Sequence, residues 1–399
     1  MPKRLTPVDL SIGERIRARR QLRGWSVRLA ADRAGISHST LSRIERGQAS
    51  ADNRFVLADI AAGLECSVTG LPGMPADRDA AAAQANVHAI REALIAADFG
   101  EPPTYVPRPM SAIEREVELV QALRTRLDYA GAGRFLPRLI RELHAAATGR
   151  DRAAALRLAV PVGDVAVCIA RSAGHPADAW LSAEWSRRAA EALDDPVLLG
   201  FAAWARSHAA NGCGAYARGR VLATRAADEL RGRLNAPHAP EMLGLLLLIS
   251  AHSAYATRRP GDAAEYFAEA ERLAAHTGET TTFDNYFGPT NVQFWKLGAE
   301  VDGGDPGRAV HIARSTNPAQ LAVPMRQVMF YLDAGRALAH VRRDRDAIRF
   351  LLTAERIGPQ LVRSNPLAAE TARGLLDRSR RQAGGTALRG LCERLRVAG

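Results

Sequence analysis

Beyond residue 112 the sequence reads as one helical pattern after another, and its breaks recur at intervals of roughly 40 residues, the range of helix-pair repeats. They fall at Gly174-His175-Pro176, Gly212-Cys213-Gly214, Arg259-Pro260-Gly261-Asp262, Gly304-Asp305-Pro306-Gly307 and Arg343-Asp344-Arg345-Asp346. After the last three, an Ala is followed four positions on by an apolar or small residue: Ala263 and Phe267, Ala309 and Ala313, Ala347 and Leu351. Two of these units continue with Ala270 and Ala354. Small residues at such positions let neighbouring helices approach closely, as stacked helix pairs require. Period-2 alternation and β-branched runs are scarce throughout, so the expected fold class is all-α.

The repeated units resemble tetratricopeptide repeats in degenerate form, with most Trp and Tyr landmarks missing. An Ala-rich helical bundle is the plainer alternative. Ahead of the repeats, residues 72–112 begin with Pro72 and Pro75, run Ala-rich from Asp79 to Ala97, and end in Pro102, Pro103, Pro107 and Pro109. Proline breaks helices and favours extended backbone, so this zone reads as a helix between two hinges. The expected division is a head at 1–75, a connector with a Pro-rich linker at 76–112, and a helical-repeat sensor or interaction domain at 113–399.

The head contains the segment with the sharpest functional meaning. Ile12, Ile16 and Arg20 share one face of a first helix that ends near Gly24. Ser26 is a good N-cap for a second helix over Val27 to Ala34. Gly35 permits the left-handed backbone of a tight turn, and Ser37 can cap a third helix, His38 to Arg46, which stops at Gly47. Leu41 and Ile44 lie on its apolar face, whereas His38, Ser39, Thr40 and Arg43 project elsewhere. A fourth helix, about Asn53 to Leu64, and a short fifth from Ser67 complete a five-helix unit.

The run from Gly35 to Gly47 resembles the signature of the phage-repressor and Cro-like (XRE) helix-turn-helix family. The resemblance covers about sixty residues and implies a lambda-repressor-like DNA-binding domain whose third helix enters the major groove. Transferred position by position, it implies that Ser37, His38, Ser39, Thr40 and Arg43 face bases or nearby phosphates, with Arg28 and Arg46 beside them. It also implies that Arg20 and Glu45 form a structural ion pair joining the first helix to the end of the third. Amides at the start of the second and fourth helices are implied to meet phosphates. Two departures fall at those places: Val27 stands where the family often has Gln, and Gln48-Ala49-Ser50-Ala51-Asp52 is one residue longer than usual and lacks the family's Pro.

Charge agrees with this resemblance. The net charge is +11, carried almost wholly by Arg, since Lys3 and Lys296 are the only lysines. An Arg excess also follows from GC-rich coding, so position matters more than the total. Between Arg15 and Arg46 nine arginines face two acids, Asp32 and Glu45. Basic density over a compact helical unit is the electrostatic footprint of phosphate binding.

Other chemistries lack their residues. There is no H-E-x-x-H, P-loop, G-x-G-x-x-G or G-x-S-x-G, and the ten His are scattered, so neither an enzyme nor a metal site is expected and no cofactor is implied. Cys66, Cys168, Cys213 and Cys392 are far apart and read as small core residues in a reducing compartment. The N-terminal residues lead into no apolar h-region, and the longest apolar run, Leu243 to Ile249, is too short to span a bilayer. A cytoplasmic protein without a membrane partner is expected.

The stretch from Phe283 to Val292 gathers aromatics and two Asn just before Trp295. It is similar to segments of actinobacterial regulators with the same two-part layout. Asn291, Asn285 and Trp295 could hold a ligand on an inner groove, because an Asn amide both donates and accepts. Equally, Pro289 starts a helix that Thr290 and Asn291 cap or solvate. The combined expectation is a transcription regulator that binds double-stranded DNA as a homodimer and senses a peptide or small-molecule effector. The rival is a repeat-domain adaptor that recruits a protein partner to DNA.

Overall fold

The structure, a computed structural model, describes residues 10–71, 78–98, 103, 105–321, 323–379 and 385–397; the side chains of 78–83 and of Phe283 lie outside the description. The hinge prolines Pro72, Pro75 and Pro102 also fall outside it. Among the described residues the chain is all-α, a helix-turn-helix head followed by a long region of repeated helices, with one isolated antiparallel bridge, Thr280 with Phe287. The head comprises α1 (Ile12–Leu22), α2 (Val27–Ala34), α3 (His38–Glu45), α4 (Arg54–Gly63) and a single 3-10 turn, Val68–Gly70, where the sequence suggests a fifth helix. There follow α5 (Arg78–Ala96), α6 (Met110–Thr125), α7 (Tyr129–Ala146), α8 (Arg152–Ser172), α9 (Pro176–Glu191), α10 (Pro196–Gly212), α11 (Tyr216–Arg231), α12 (Ala239–Ala256) and α13 (Pro260–Thr277). The last are α14 (Pro289–Gly303), α15 (Pro306–Ser315), α16 (Pro324–His340), α17 (Asp344–Ile357), α18 (Pro359–Arg363), α19 (Pro366–Ser379) and α20 (Thr386–Arg394).

One turn recurs. Leu127, Gly174, Gly214, Arg258, Gly304 and Arg342 all have left-handed φ, and in each case the next helix begins two residues later. The following amide reaches back to close the preceding helix: His175 N–H to Ala170 O at 2.8 Å, Ala215 to Ala210 at 2.9 Å, Arg259 to Ala254 at 2.9 Å and Arg343 to Leu338 at 2.9 Å. This is the six-to-one bond of a Schellman cap, which satisfies carbonyls that a helix end would otherwise leave open. The turn joins α6 to α7, α8 to α9, α10 to α11, α12 to α13, α14 to α15 and α16 to α17. The small residues singled out from the sequence pack inward: Ala263, Ala270, Ala309, Ala347, Leu351 and Ala354 are fully buried.

The chain divides into two compact units. One spans residues 77–295; the other combines residues 1–76 with 296–399. The last hundred residues thus group with the head, whereas the division expected from sequence keeps 113–399 together. In the first unit α8, α10 and α12 pack side by side, each also against its own partner helix. Helix α8 is long and apolar enough by composition to cross a membrane, but two-thirds of that stretch is buried against its neighbours and it carries the buried Asp164, 3.5 Å from Arg124. It reads as a core helix. Burial, with Asp164 nearby, pushes the Cys168 thiol on this helix up to about 11, so it stays protonated and unreactive. All four cysteines are free thiols.

In the second unit a buried ion network ties the head to α14, α16 and α19. Arg54 bonds Asp302 at 2.5 Å and Asp333 at 2.8 Å. Arg336, 1% exposed, bonds the same two carboxylates at 2.5 and 2.8 Å and also donates to the carbonyl of Asp52. The Asp52 carboxylate meets His340 Nε2 at 3.0 Å and accepts from Thr371 Oγ1 at 2.9 Å. Leu367 of α19 joins the head's apolar core.

Burial works to raise the pKa of Asp52, but His340, Arg336 and Thr371 outweigh it and hold the carboxyl below its ordinary value. For Asp302 burial is likewise overcome, by Arg336 and Arg54. A carboxylate so depressed stabilises the fold above its unfolded value, about 3.9, and that stability is lost as pH falls through the folded value. Glu370, raised by burial, acts in the opposite sense. Acidification below about pH 4 should therefore loosen this unit. Amide exchange at residues 52–57 and 333–340 reports it; protection that stays constant down to pH 2 would contradict the assignment.

Candidate nucleic-acid interface

Four helices present the polar surface of the head. Ser11 accepts from Glu14 N–H at 3.2 Å, and the Glu14 carboxylate accepts from Ser11 N–H at 2.8 Å, a reciprocal capping box that fixes the start of α1. Ser26 caps α2 by accepting from Leu29 N–H at 3.1 Å. Gly35 turns left-handed, φ 63°, and Ser37 then caps α3 by accepting from Thr40 N–H at 3.1 Å. The Ser37 hydroxyl also lies 2.9 Å from that of Ser39 and 2.7 Å from that of Thr40.

Beneath α3, Leu41 and Ile44 join Ile12, Ile16, Ala31 and Ile60 in one core. The close approach of α2 to α4 depends on Gly63: a Cβ there would lie 2.7 to 2.9 Å from Ala34 atoms, mostly backbone. With Leu41, Ile44 and Glu45 inward, Ser37, His38, Ser39 and Arg43 are exposed on the other face and Thr40 is half-exposed.

Arg20 and Glu45 are buried together. Nε and one terminal nitrogen of Arg20 donate to the two Glu45 oxygens at 2.7 Å each, and the other terminal nitrogen donates to Trp25 O at 2.7 Å. The hydrogen bond to Glu45 leads the influences that raise the Arg20 pKa, so the guanidinium stays charged. The pair fastens the end of α1 to the end of α3.

The head's arginines sort into two groups. Arg15, Arg19 and Arg20 bond within the head, and Arg23 and Arg33 lie over the Trp25 ring at 5.7 and 4.5 Å. Arg33 also pairs with Glu65. Arg17, Arg28 and Arg43 are exposed and make no ion pair among the described residues, and exposed Arg46 donates only to Ser42 O within its own turn. Arg17 is absent from the sequence reading; the signal that could have found it is its place off the buried face set by Ile12, Ile16 and Arg20, about 100° around α1 from Ile16.

The Phe283–Val292 segment lies elsewhere and is closed. Thr280 N–H donates to Phe287 O at 2.7 Å, and Phe287 is fully buried against Gly244, where any side chain would strike its ring. Asn291 has no exposed surface and its amide donates to Tyr286 O; Asn285 is also buried. The Asn291 side chain holds the turn, and both Asn side chains are enclosed rather than lining an open groove. Trp295 is half-buried, with ring centroids 5.7 Å from His208 and 5.9 Å from His252. His208 in turn stands 4.2 Å from the buried Trp204. Among the described residues no cluster of three or more His, Cys, Asp or Glu is arranged to hold a metal.

A family described as a helix-turn-helix domain matches residues 11–71. The chain carries a helix-turn-helix domain at its N-terminus. No curated protein matches the chain. Among solved structures, it is similar to PlcR of Bacillus thuringiensis, crystallised in complex with the peptide PapR7 and DNA, at 12% identity and a TM-score of 0.37, over 87% of this chain and 95% of that one.

Removing one partner of a buried ion pair strands the other charge and typically costs about 3–5 kcal/mol. Arg20→Ala should therefore lower the melting temperature of the head sharply and weaken DNA binding with it. A melt that overlays the parent would show that Arg20 does not hold α1 to α3.

Proposed function

We propose that this chain is a sequence-specific transcription regulator that reads double-stranded DNA with α3. The observation that carries this reading is the two-faced third helix: Leu41, Ile44 and Glu45 sealed in the core, and Ser37, His38, Ser39 and Arg43 exposed opposite them. Short polar side chains and one Arg on a helix held from behind suit hydrogen bonding to base edges in the major groove. Arg28 and Arg46 supply phosphate contacts at the flanks, and Arg17 extends that set. One recognition helix reads a short half-site, so two copies of the chain bind a paired operator as a homodimer in the cytoplasm.

The helical-repeat region adjusts this binding in response to a peptide or small-molecule effector. The half-buried Trp295, with His208 and His252 beside it, supports an effector contact there: aromatic and imidazole groups together offer an apolar face and hydrogen-bonding edges. Asn291 then acts by holding the turn that precedes Trp295, with buried Asn285 beside it.

Arg43→Ala should reduce affinity for an operator selected from random-sequence DNA by about 1–3 kcal/mol, and leave affinity for unrelated duplex nearly unchanged. Equal losses on both duplexes would assign Arg43 to phosphate. No loss on either would take it out of the interface and sink the reading of α3.

A further inference from the structure

The first turn of α4 makes a seat for an anion. Asn53 caps this helix through its side-chain oxygen, which accepts from Phe55 and Val56 N–H at 3.0 Å each. The next donors along are the Arg54 amide and its guanidinium fork. The amide donates to Asp302 Oδ1 at 3.1 Å, and the fork spans Asp302 and Asp333 at 2.5 and 2.8 Å. The Asn53 amide nitrogen adds a bond of 2.9 Å to Asp302 O. A helix N-terminus with an Arg fork is chemistry suited equally to a carboxylate and to a phosphate. Here both carboxylates come from outside the head, from α14 and α16.

The contrast with the other arginines is informative. Among the described residues, Arg17, Arg28 and Arg43 stand in solvent without acidic partners, whereas half-buried Arg54 is engaged by two. The engagement is shared: Arg336 bridges the same carboxylates and grips the Asp52 carbonyl, and His340 and Thr371 hold the Asp52 side chain. Such a buried network holds while complete and opens when one member leaves, because the remaining charges must return to water.

We propose that this docking is autoinhibitory: Asp302 and Asp333 occupy, in the DNA-free chain, the seat that Arg54 and the first turn of α4 offer to a DNA backbone phosphate. Undocking frees Arg54, and the phosphate replaces the carboxylates. This inference rests on the DNA-binding reading above and specifies how that binding is restrained.

The test uses the full chain, short mixed-sequence duplex DNA and a series of salt concentrations, because sequence-independent affinity and its salt slope report phosphate contacts. Asp302→Asn should raise affinity by roughly 5-fold or more, the lower end of usual coupling between sites. It should also steepen the slope of log K against log salt by about 0.9, the increment for one added phosphate. Arg54→Ala placed on top of Asp302→Asn should remove the added slope. Thr371→Val, which deletes one hydrogen bond to Asp52 and no charge, should give a smaller gain of the same sign and serves if Asp302→Asn folds poorly. Amide exchange at residues 53–57 without DNA shows whether each variant has undocked. Faster exchange there with unchanged or weaker DNA binding overturns the inference while leaving the DNA-binding reading intact. Failure of the parent and every variant to bind any duplex overturns that reading, and the inference falls with it.

Discussion

Three carboxylates and a guanidinium group cannot leave water together, with a second guanidinium and an imidazole half-buried beside them, unless nearly every one finds a partner within hydrogen-bonding reach. Asp52, Asp302 and Asp333 with Arg54, Arg336 and His340 meet that condition, and the head's association with the last helices depends on it. Apolar contact contributes through Leu367, but apolar contact alone tolerates sliding. Bidentate and shared hydrogen bonds have narrow geometry, so the network sets one position of α4 against α16 and α19. Four of the charges, on Asp52, Asp302, Asp333 and Arg336, are buried, so losing one partner strands the others at a cost, and a contact of that kind can switch.

The repeated caps act on a different scale. Each such turn ends one helix and begins the next after two or three residues, leaving little slack for the pair to vary its separation. Three of the six left-handed positions carry Leu or Arg instead of Gly, at a local cost of about 1 kcal/mol each. The packing of the following helix, through Ala263 or Ala347 for example, offsets it.

Much of this architecture could be read from the residues alone. Ser26, Gly35 and Ser37 announce the caps around α2 and α3, because their chemistry acts on backbone one turn away. Gly174, Gly214 and Gly304 mark turns for the same reason. Leu127 carries no such signature, since its left-handed backbone is imposed by the helices on either side, and that turn was invisible beforehand. The exposed face of α3 was legible where side chains are short and local, as in Ser37 to Thr40. Arg54 was not legible, because its partners lie some 250 positions away in the chain. Asn285 and Asn291 show the reverse problem: their donor and acceptor capacity is evident in the sequence, but the turn itself consumes Asn291's donor and encloses both side chains.

The contact between Gly63 and Ala34 has a consequence for how such a protein can change. Helix α2 rests against α4 with only a hydrogen atom between their backbones, and the Gly35 turn that launches α3 follows at once. A single methyl group at residue 63 would lift α2 and tilt α3 with it, so the depth at which α3 projects is set from behind, by steric exclusion. The exposed face carries no such restriction. Successive substitutions at His38, Ser39 or Arg43 can change the chemistry that α3 presents while the scaffold stays still, so that a new surface can be acquired without rebuilding the domain that carries it.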